Sequence, residues 1–194
     1  MDNPIKAQSD AQTEVRGEKT YQNAFLEGAD PFVMTWQGKY YLYATNDPKG
    51  YRVYVSDDFT AWEEKGYCLR AEDVQGKEMF WAPEVMERGG RFYMVYTSEE
   101  HIGIAQSDSP LGPFVKYKGN PILHKNEYAS GVGHHSFTRS KDGKELICVY
   151  HRHFSKDTFR PRMICADRAE FVAQADGDDI LVVHGPTGTP QKAF

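Results

Sequence analysis

The sequence predicts an all-β fold, a β-propeller built from four-stranded blades, and three observations lead to that prediction. A glycine-led, tyrosine-rich phrase recurs at even intervals along the 194 residues. Each copy lies among short apolar or alternating runs that end in polar turns, which is typical of strands. Helical periodicity is essentially absent, so no other element competes with the strands.

The repeated phrase occurs in three copies, which are GKYYLYAT at residues 38–45, GRFYMVYT at 90–97 and GKELICVY at 143–150. Their first residues are 52 and 53 positions apart. Propeller blades of four strands have a similar length, roughly 40–50 residues. The chain therefore holds about three complete blade units.

Each unit is predicted to contain an apolar strand, a glycine turn, an aromatic and β-branched strand, and a third strand after a polar loop. The predicted strands are 32–36, 40–45 and 52–56, then 84–87, 92–97 and 102–107, and finally 136–139, 145–151 and 162–167. Residues 1–19 are predicted to be a lead-in to one domain that spans 20–194. Residues 181–183 are predicted to be a closing strand that joins the last blade to the first.

The composition favours a folded domain that binds neither nucleic acid nor a membrane. Apolar residues make up 40% of the chain and charged residues 26%, as in globular proteins. The formal net charge of -5 offers no basic surface for a phosphate backbone. No apolar run approaches the roughly 20 residues that span a bilayer. The polar first twenty residues lack the apolar stretch of a signal peptide, which predicts a cytoplasmic location.

Alignment of the three units on their glycine turns brings polar clusters into register. Asp30, the segment 82–84 and the pair His134 and His135 then precede the first strand of successive units. The first strand of a propeller blade lies nearest the central channel, where small ligands bind. The sequence therefore predicts a ligand site on the axis.

Several motifs at these positions resemble glycoside hydrolase family 43. They are GADPFV at 28–33, WAPEV at 81–85, SDSPLGPF at 107–114, GVGHHS at 131–136, RPRM at 160–163 and GPT at 185–187. The resemblance implies a five-bladed propeller that hydrolyses arabinose- or xylose-containing plant oligosaccharides and polysaccharides with inversion. It implies that Asp30 is the general base and that the histidine of GVGHHS lies by the axis, often beside a metal ion.

The sequence also departs from this family. Two motifs are absent: an Ile-Asp-Pro segment, whose aspartate tunes the pKa of the acid, and a Glu-Gly-Pro segment, whose glutamate is the general acid. SDSPLGPF runs directly into residues 116–121, which resemble the start of the final unit. A deletion between two copies of that phrase would produce this arrangement. The chain is therefore interpreted as a shortened member, either an active glycosidase or a catalytically inactive sugar-binding module.

Inverting hydrolysis requires a carboxylate base and a carboxylic acid about 6.5–9.5 Å apart. Asp30 is the candidate base, although it could also cap a turn before Pro31. Glu84 is the nearest candidate acid, because partial burial at the start of an inner strand would raise its pKa. Glu84 could instead support the site or pair with an arginine such as Arg162, and a second chain could supply the acid.

The remaining candidate residues would bind substrate or an ion. His134 could orient Asp30, contact sugar, or reach calcium or another axial metal through water, and no cofactor is otherwise required. His135 is a second candidate, but neighbouring strand residues face opposite sides, so only one of the two faces the channel. Trp81 could stack on a sugar ring or wedge between blades, and Arg162 is the last substrate-binding candidate.

The number of blades predicts self-association. Closed propellers typically have at least four blades, and about three units would leave two bare blade faces with unpaired strand edges. A homo-oligomer would cover these surfaces.

Overall fold

The computed structural model describes residues 19–73, 80–174 and 179–194, so the predicted lead-in, except for Lys19, lies outside the described residues. The described chain forms three antiparallel sheets of four strands each, which confirms the all-β prediction. No helix in these ranges is long and apolar enough to cross a bilayer.

The strands follow one another along the chain, and each sheet is a simple meander. The first sheet contains β1 (Ala29–Trp36), β2 (Lys39–Thr45), β3 (Gly50–Ser56) and β4 (Glu63–Arg70). The second contains β5 (Phe80–Arg88), β6 (Arg91–Ser98), β7 (His101–Ser107) and β8 (Val115–Lys116). The third contains β9 (Gly133–Arg139), β10 (Leu146–Arg152), β11 (Met163–Ala173) and β12 (Asp179–Val183). Each sheet corresponds to one predicted blade.

The glycine turns of the repeat close the first hairpin of the first two blades. Gln37 and Gly38 have φ values of 46° and 76°, and Gly89 and Gly90 have values of 60° and 85°. Two-residue hairpin turns of the twist-matching type need a left-handed conformation at both positions. Glycine adopts it without strain, which explains why each repeat begins with this residue.

The fourth strands correct two predictions. Lys116, expected at the start of the final unit, lies in β8, the outer strand of the second blade. Residues 181–183 lie in β12, which pairs with β11 and places Val183 opposite Ala169. The closing strand therefore completes the third blade and does not join it to the first.

The blades pack face to face through two cores. Between the first and second blades lie Tyr43, Tyr51, Val53, Phe92 and Met94. Between the second and third lie Tyr93, Val95, Ile104, Tyr150 and Leu181. These side chains occupy alternate positions of their strands, so each middle strand contributes a tyrosine to a core. This succession of packed sheets is the arrangement of neighbouring propeller blades.

The outer face of the first blade is covered by the chain itself, contrary to the expectation of two bare faces. Leu42, Ala44 and Tyr54 on this face are buried against Leu26 and Trp62. Phe25 stacks on the Trp62 ring with centroids 5.8 Å apart. The outer side of the third blade is different, because Ile164 is 76% exposed there. This end of the stack therefore keeps a large apolar side chain in water.

Candidate active site

The inner strand of each blade begins with a bulge, and the three bulges are equivalent. The strand pairing shifts between Ala29 and Phe32 in β1, between Trp81 and Glu84 in β5, and opposite His134 in β9. One residue in each bulge has a left-handed backbone: Asp30 at φ 47°, Ala82 at 49° and His134 at 43°. Such conformations are costly outside glycine. Bulges redirect side chains and are frequent beside active sites, and here they direct the start of each inner strand to the axis.

A threonine at the end of the second strand holds the bulge of the next blade. The Ala82 backbone N–H donates to Thr45 Oγ1 at 3.0 Å, and the His134 N–H donates to Thr97 Oγ1 at 2.9 Å. Each pair joins the middle strand of one blade to the inner strand of the following blade. We call these two interactions the threonine latches. In the third blade His151, opposite Gly133, occupies the position of the two threonines.

The carboxylate of Asp30 is held between Thr45 and His134. Thr45 Oγ1 donates to Asp30 Oδ2 at 3.0 Å, and Asp30 Oδ1 lies 3.5 Å from His134 Nδ1. The Asp30 and His134 side chains remain 27% and 55% exposed. The aspartate is thus oriented from two sides and still open to a ligand. The Asp30 carboxylate contacts Thr45 on the neighbouring strand and His134 of the third blade. A residue that only caps a local turn would not need these contacts.

Glu84, on β5, is the buried carboxyl of the site. Burial raises its pKa from 4.5 to about 7, and the Phe137 backbone N–H, which donates to Oε1 at 3.3 Å, only partly opposes this effect. Its other oxygen, Oε2, lies 4.0 Å from His135 Nε2. A carboxyl with this pKa keeps its proton in a substantial part of the molecules near neutral pH. The group therefore has the protonation that a general acid needs, and its contacts are to the third blade and not to Arg162.

The two neighbouring histidines face opposite sides, as expected from strand alternation. His135 has no exposed side-chain area, and neither of its ring nitrogens makes a hydrogen bond of normal geometry. Burial, with a smaller contribution from His134, lowers the pKa of His135 to about 3, so the ring is neutral. His134 is therefore the histidine whose side chain is exposed at the axis.

A cavity of about 440 Å³ brings these groups together. Its lining residues are Asp30, Pro31, Phe32, Ala82, Pro83, Glu84, His134, His135 and Ser136. It contains the bulge residues of all three blades and both candidate catalytic carboxyls. A larger cavity of about 560 Å³, lined by residues such as Arg91 and Lys116, lies at the outer edge of the second blade and shares none of these groups.

The structure places Trp81 and Arg162 outside this axial cavity. Trp81 lines a neighbouring cavity of about 460 Å³ beside Asn46 and Asp47. Arg162 lies exposed in the loop before β11. Burial, followed by the positive charge of Arg162, lowers the pKa of His151 to about 4. Both residues are neighbours of the site and not part of its cavity wall.

Sequence reasoning missed Thr45 and Thr97, which hold the bulges. A signal for them was present, since both are the last residue of the repeated phrase. Strand propensity explains a β-branched residue at this position equally well, so the repeat alone does not reveal the role of the two threonines.

The axial residues do not form a ligand shell for a directly bound ion. Within residues 19–73, 80–174 and 179–194, no three His, Cys, Asp or Glu side chains are arranged to hold a metal. Asp30 and His134 are two facing groups, and three or four protein ligands are usual for a tightly held ion such as zinc. Contact of His134 with an ion through water stays a prediction.

Three stacked blades with a carboxylate, a buried carboxyl and a histidine around one axis define a propeller-like all-β protein with an acidic axial site. The profile of glycosyl hydrolases family 43 matches residues 21–103 and 98–178. The chain belongs to glycosyl hydrolase family 43.

Individual relatives have low sequence identity to this chain. A xylosidase/arabinosidase of Bacteroides ovatus is 32% identical over 118 residues, which are 48% of this chain and 36% of the relative. A beta-xylosidase of Xylanibacter ruminicola is 22% identical over 204 residues, covering 85% of this chain and 63% of the relative. The crystal structure of an endo-arabinase from Bacteroides thetaiotaomicron VPI-5482 superposes with a TM-score of 0.64 and 29% identity, covering 84% of this chain and 58% of that one. The chain thus spans less than two thirds of the length of each.

Proposed function

We propose that this chain is an inverting glycosidase that acts on arabinose- or xylose-containing oligosaccharides and polysaccharides of plant hemicellulose. The observation that carries the proposal is the pairing, in one axial cavity, of a partly exposed aspartate with a more buried glutamate whose pKa is raised to about 7. Acid–base hydrolysis uses two carboxyl groups in different environments.

In the proposed reaction Asp30 removes a proton from a water molecule, which attacks the anomeric carbon. Glu84 donates its proton to the leaving oxygen as the glycosidic bond breaks. Thr45 and His134 fix the orientation of the Asp30 carboxylate, because each lies against one of its oxygens. Water returns the proton to Glu84 and accepts the one held by Asp30 when the products leave.

The choice of substrate rests on the relatives. The curated relatives include a xylosidase/arabinosidase and a beta-xylosidase. The assignment of Glu84 as the acid rests on its burial, since the acid motif of the family is absent from this sequence. That absence favours a second candidate function, a sugar-binding module without turnover.

Hydrolysis of p-nitrophenyl arabinofuranoside and xyloside, measured beside calorimetric titration with xylo- and arabino-oligosaccharides, separates the two candidates. We expect turnover that Asp30→Asn abolishes while the circular dichroism spectrum stays unchanged. Asp57→Asn, which removes an exposed carboxylate paired with Lys39, is the matched control and should keep activity. Undiminished turnover in a folded Asp30→Asn variant would remove Asp30 from the mechanism, and binding without turnover in the parent chain would favour the module.

The same proposal includes a homo-oligomer. The first blade is covered by Leu26 and Trp62, whereas Ile164 on the outer side of the third blade is exposed. Two copies that meet through the same end form a closed, isologous pair. A ring or filament would need two complementary ends.

A further inference from the structure

An exposed aromatic ring lies at the catalytic end of the third blade, outside the axial cavity. Phe159, in the loop between β10 and β11, is 67% exposed. An exposed phenylalanine forgoes the stabilisation that burial of its ring would bring. The loop starts where β10 ends, and β10 ends beside the start of β9, where His134 lies. The loop that carries Phe159 therefore starts at the same end of the third blade as His134.

The ring is held in place by a buried histidine. The Phe159 and His153 rings pack edge to face with centroids 5.1 Å apart and an angle of 73°. His153 is buried, its N–H donates to Ser130 O at 2.8 Å, and a Cβ added at Gly131 would collide with its ring. An aromatic side chain fixed in this way binds a flat ligand without first losing rotamer freedom.

A carboxylate from the second blade contacts the histidine that supports this ring. Glu100 is in the tight turn between β6 and β7, and its Oε1 lies 3.2 Å from His153 Nε2. The Glu100 side chain is 44% exposed, so it can also accept hydrogen bonds from a ligand. A flat apolar face beside an oriented carboxylate matches a sugar ring, which has apolar C–H faces and hydroxyl edges.

The position of the ring relative to Asp30 can be followed residue by residue. Asp30 faces His134, which is next to Gly133, and Gly133 pairs with His151. His151 lies two strand positions before His153, about 7 Å away. Phe159 is therefore within roughly 20 Å of Asp30 by strand geometry, a distance that a chain of a few sugar units covers.

We infer that Phe159, supported by His153 and Glu100, forms a distal subsite that stacks on one sugar ring of an arabinose- or xylose-containing chain whose other units occupy the axial cavity. The inference rests on the carbohydrate-binding part of the proposed function. It assigns a longer substrate than a disaccharide to the site, because only an oligosaccharide reaches both places.

Calorimetric titration in an Asp30→Asn background tests the subsite without turnover. The probes are arabinohexaose and xylohexaose, with the corresponding disaccharides for comparison. Phe159→Ala should weaken binding of a hexasaccharide about tenfold, since one aromatic stacking contact is lost, and should leave disaccharide binding much less affected. Phe159→Trp should restore hexasaccharide binding. Phe194→Ala, which removes an exposed ring that packs on Arg168, is the control and should bind like the parent.

The outcomes are distinct from those of the activity assay. Hexasaccharide binding that depends on Phe159 supports the subsite even if the chain hydrolyses nothing. Equal hexasaccharide affinity of Phe159→Ala and its parent overturns the inference, as does an absence of hexasaccharide binding by the parent. A changed oligomeric state of Phe159→Ala with unchanged sugar affinity also overturns it and assigns the ring to self-association.

Discussion

The buried carboxyl of Glu84 leads to a prediction that requires no substrate. The folded protein keeps a proton on this group up to a pKa of about 7, whereas the unfolded chain releases it near 4.5. The stability that results is fully present below the unfolded pKa and is lost as the pH rises through about 7. Since a tenfold change in a dissociation constant corresponds to about 1.4 kcal/mol, the loss is about 3 kcal/mol.

Glu84→Gln removes this titration while preserving the contact with the third blade. The amide oxygen can still accept the Phe137 N–H, and the side chain does not ionise. Near pH 4 the free energies of unfolding of the variant and parent should be similar. Near pH 8 the variant should be more stable by up to about 3 kcal/mol, because it avoids a buried charge. Urea denaturation at a series of pH values measures both curves.

Titration of the histidines is the main competing effect and has the opposite sign. Burial lowers the pKa of His135 to about 3 and that of His151 to about 4. The stability linked to these groups is present above the ordinary histidine pKa of 6.5 and is lost as the pH falls towards their folded values. Both proteins share this loss, so it cancels in the difference between them. Glu127→Gln, an exposed replacement before β9, controls for the change from carboxyl to amide. A difference between Glu84→Gln and parent that is constant from about pH 4 to about pH 8 would refute the reasoning.

Three further predictions concern other parts of the site and the exposed end. Thr45→Val should cost about 1–3 kcal/mol of unfolding free energy and reduce turnover, because it leaves the Ala82 N–H without its acceptor. Denaturation and kinetics measure both effects beside Thr35→Val, a control at an exposed threonine of β1, and an effect equal to the control's would contradict the latch. His134→Ala should weaken sugar binding about tenfold by calorimetry with little change in Tm, because the side chain is largely exposed, whereas unchanged binding with a lower Tm would assign it a packing role. Ile164→Glu should convert a dimer to a monomer in light scattering by placing a charge at the apolar end, and a compact monomeric parent at micromolar concentration would exclude the isologous pair.

The sequence predicts the blades well where the strands are apolar, aromatic runs that begin after a glycine turn. Tyr43 and Tyr96 alternate with residues of the opposite face, and the glycine turns fix where each hairpin begins. The outer strands lack such a pattern. β4 begins with exposed charged residues and β8 has two exposed residues, so their pairing depends on the neighbouring strand and not on their own alternation. The sequence does not predict that Leu26 covers the first blade, because this contact is made by a residue outside any strand.

For the site, alignment of the repeats predicts that Asp30, Glu84 and His134 lie near one axis, and the structure brings them to one cavity. The alignment does not reveal which oxygen each neighbour contacts. The burial of His135 and the raised pKa of Glu84 both arise from packing of the third blade on the second, which a local pattern does not encode. Trp81, in β5, lines a neighbouring cavity, and Arg162 lies in the loop before β11; the motifs that contain these residues do not encode either position.

The threonine latches give each blade a modular connection. In each latch, a threonine hydroxyl near the end of the second strand of one blade accepts a hydrogen bond from a backbone N–H in the bulge of the next blade. The connection requires nothing from more distant blades, so whole units can be gained or lost at a junction while the residues at the axis keep their orientation. The segment between β8 and β9, where the second blade passes into the third, is such a junction. A chain that changes length there by one blade at a time alters the width of its channel without having to rebuild the bulges that surround it.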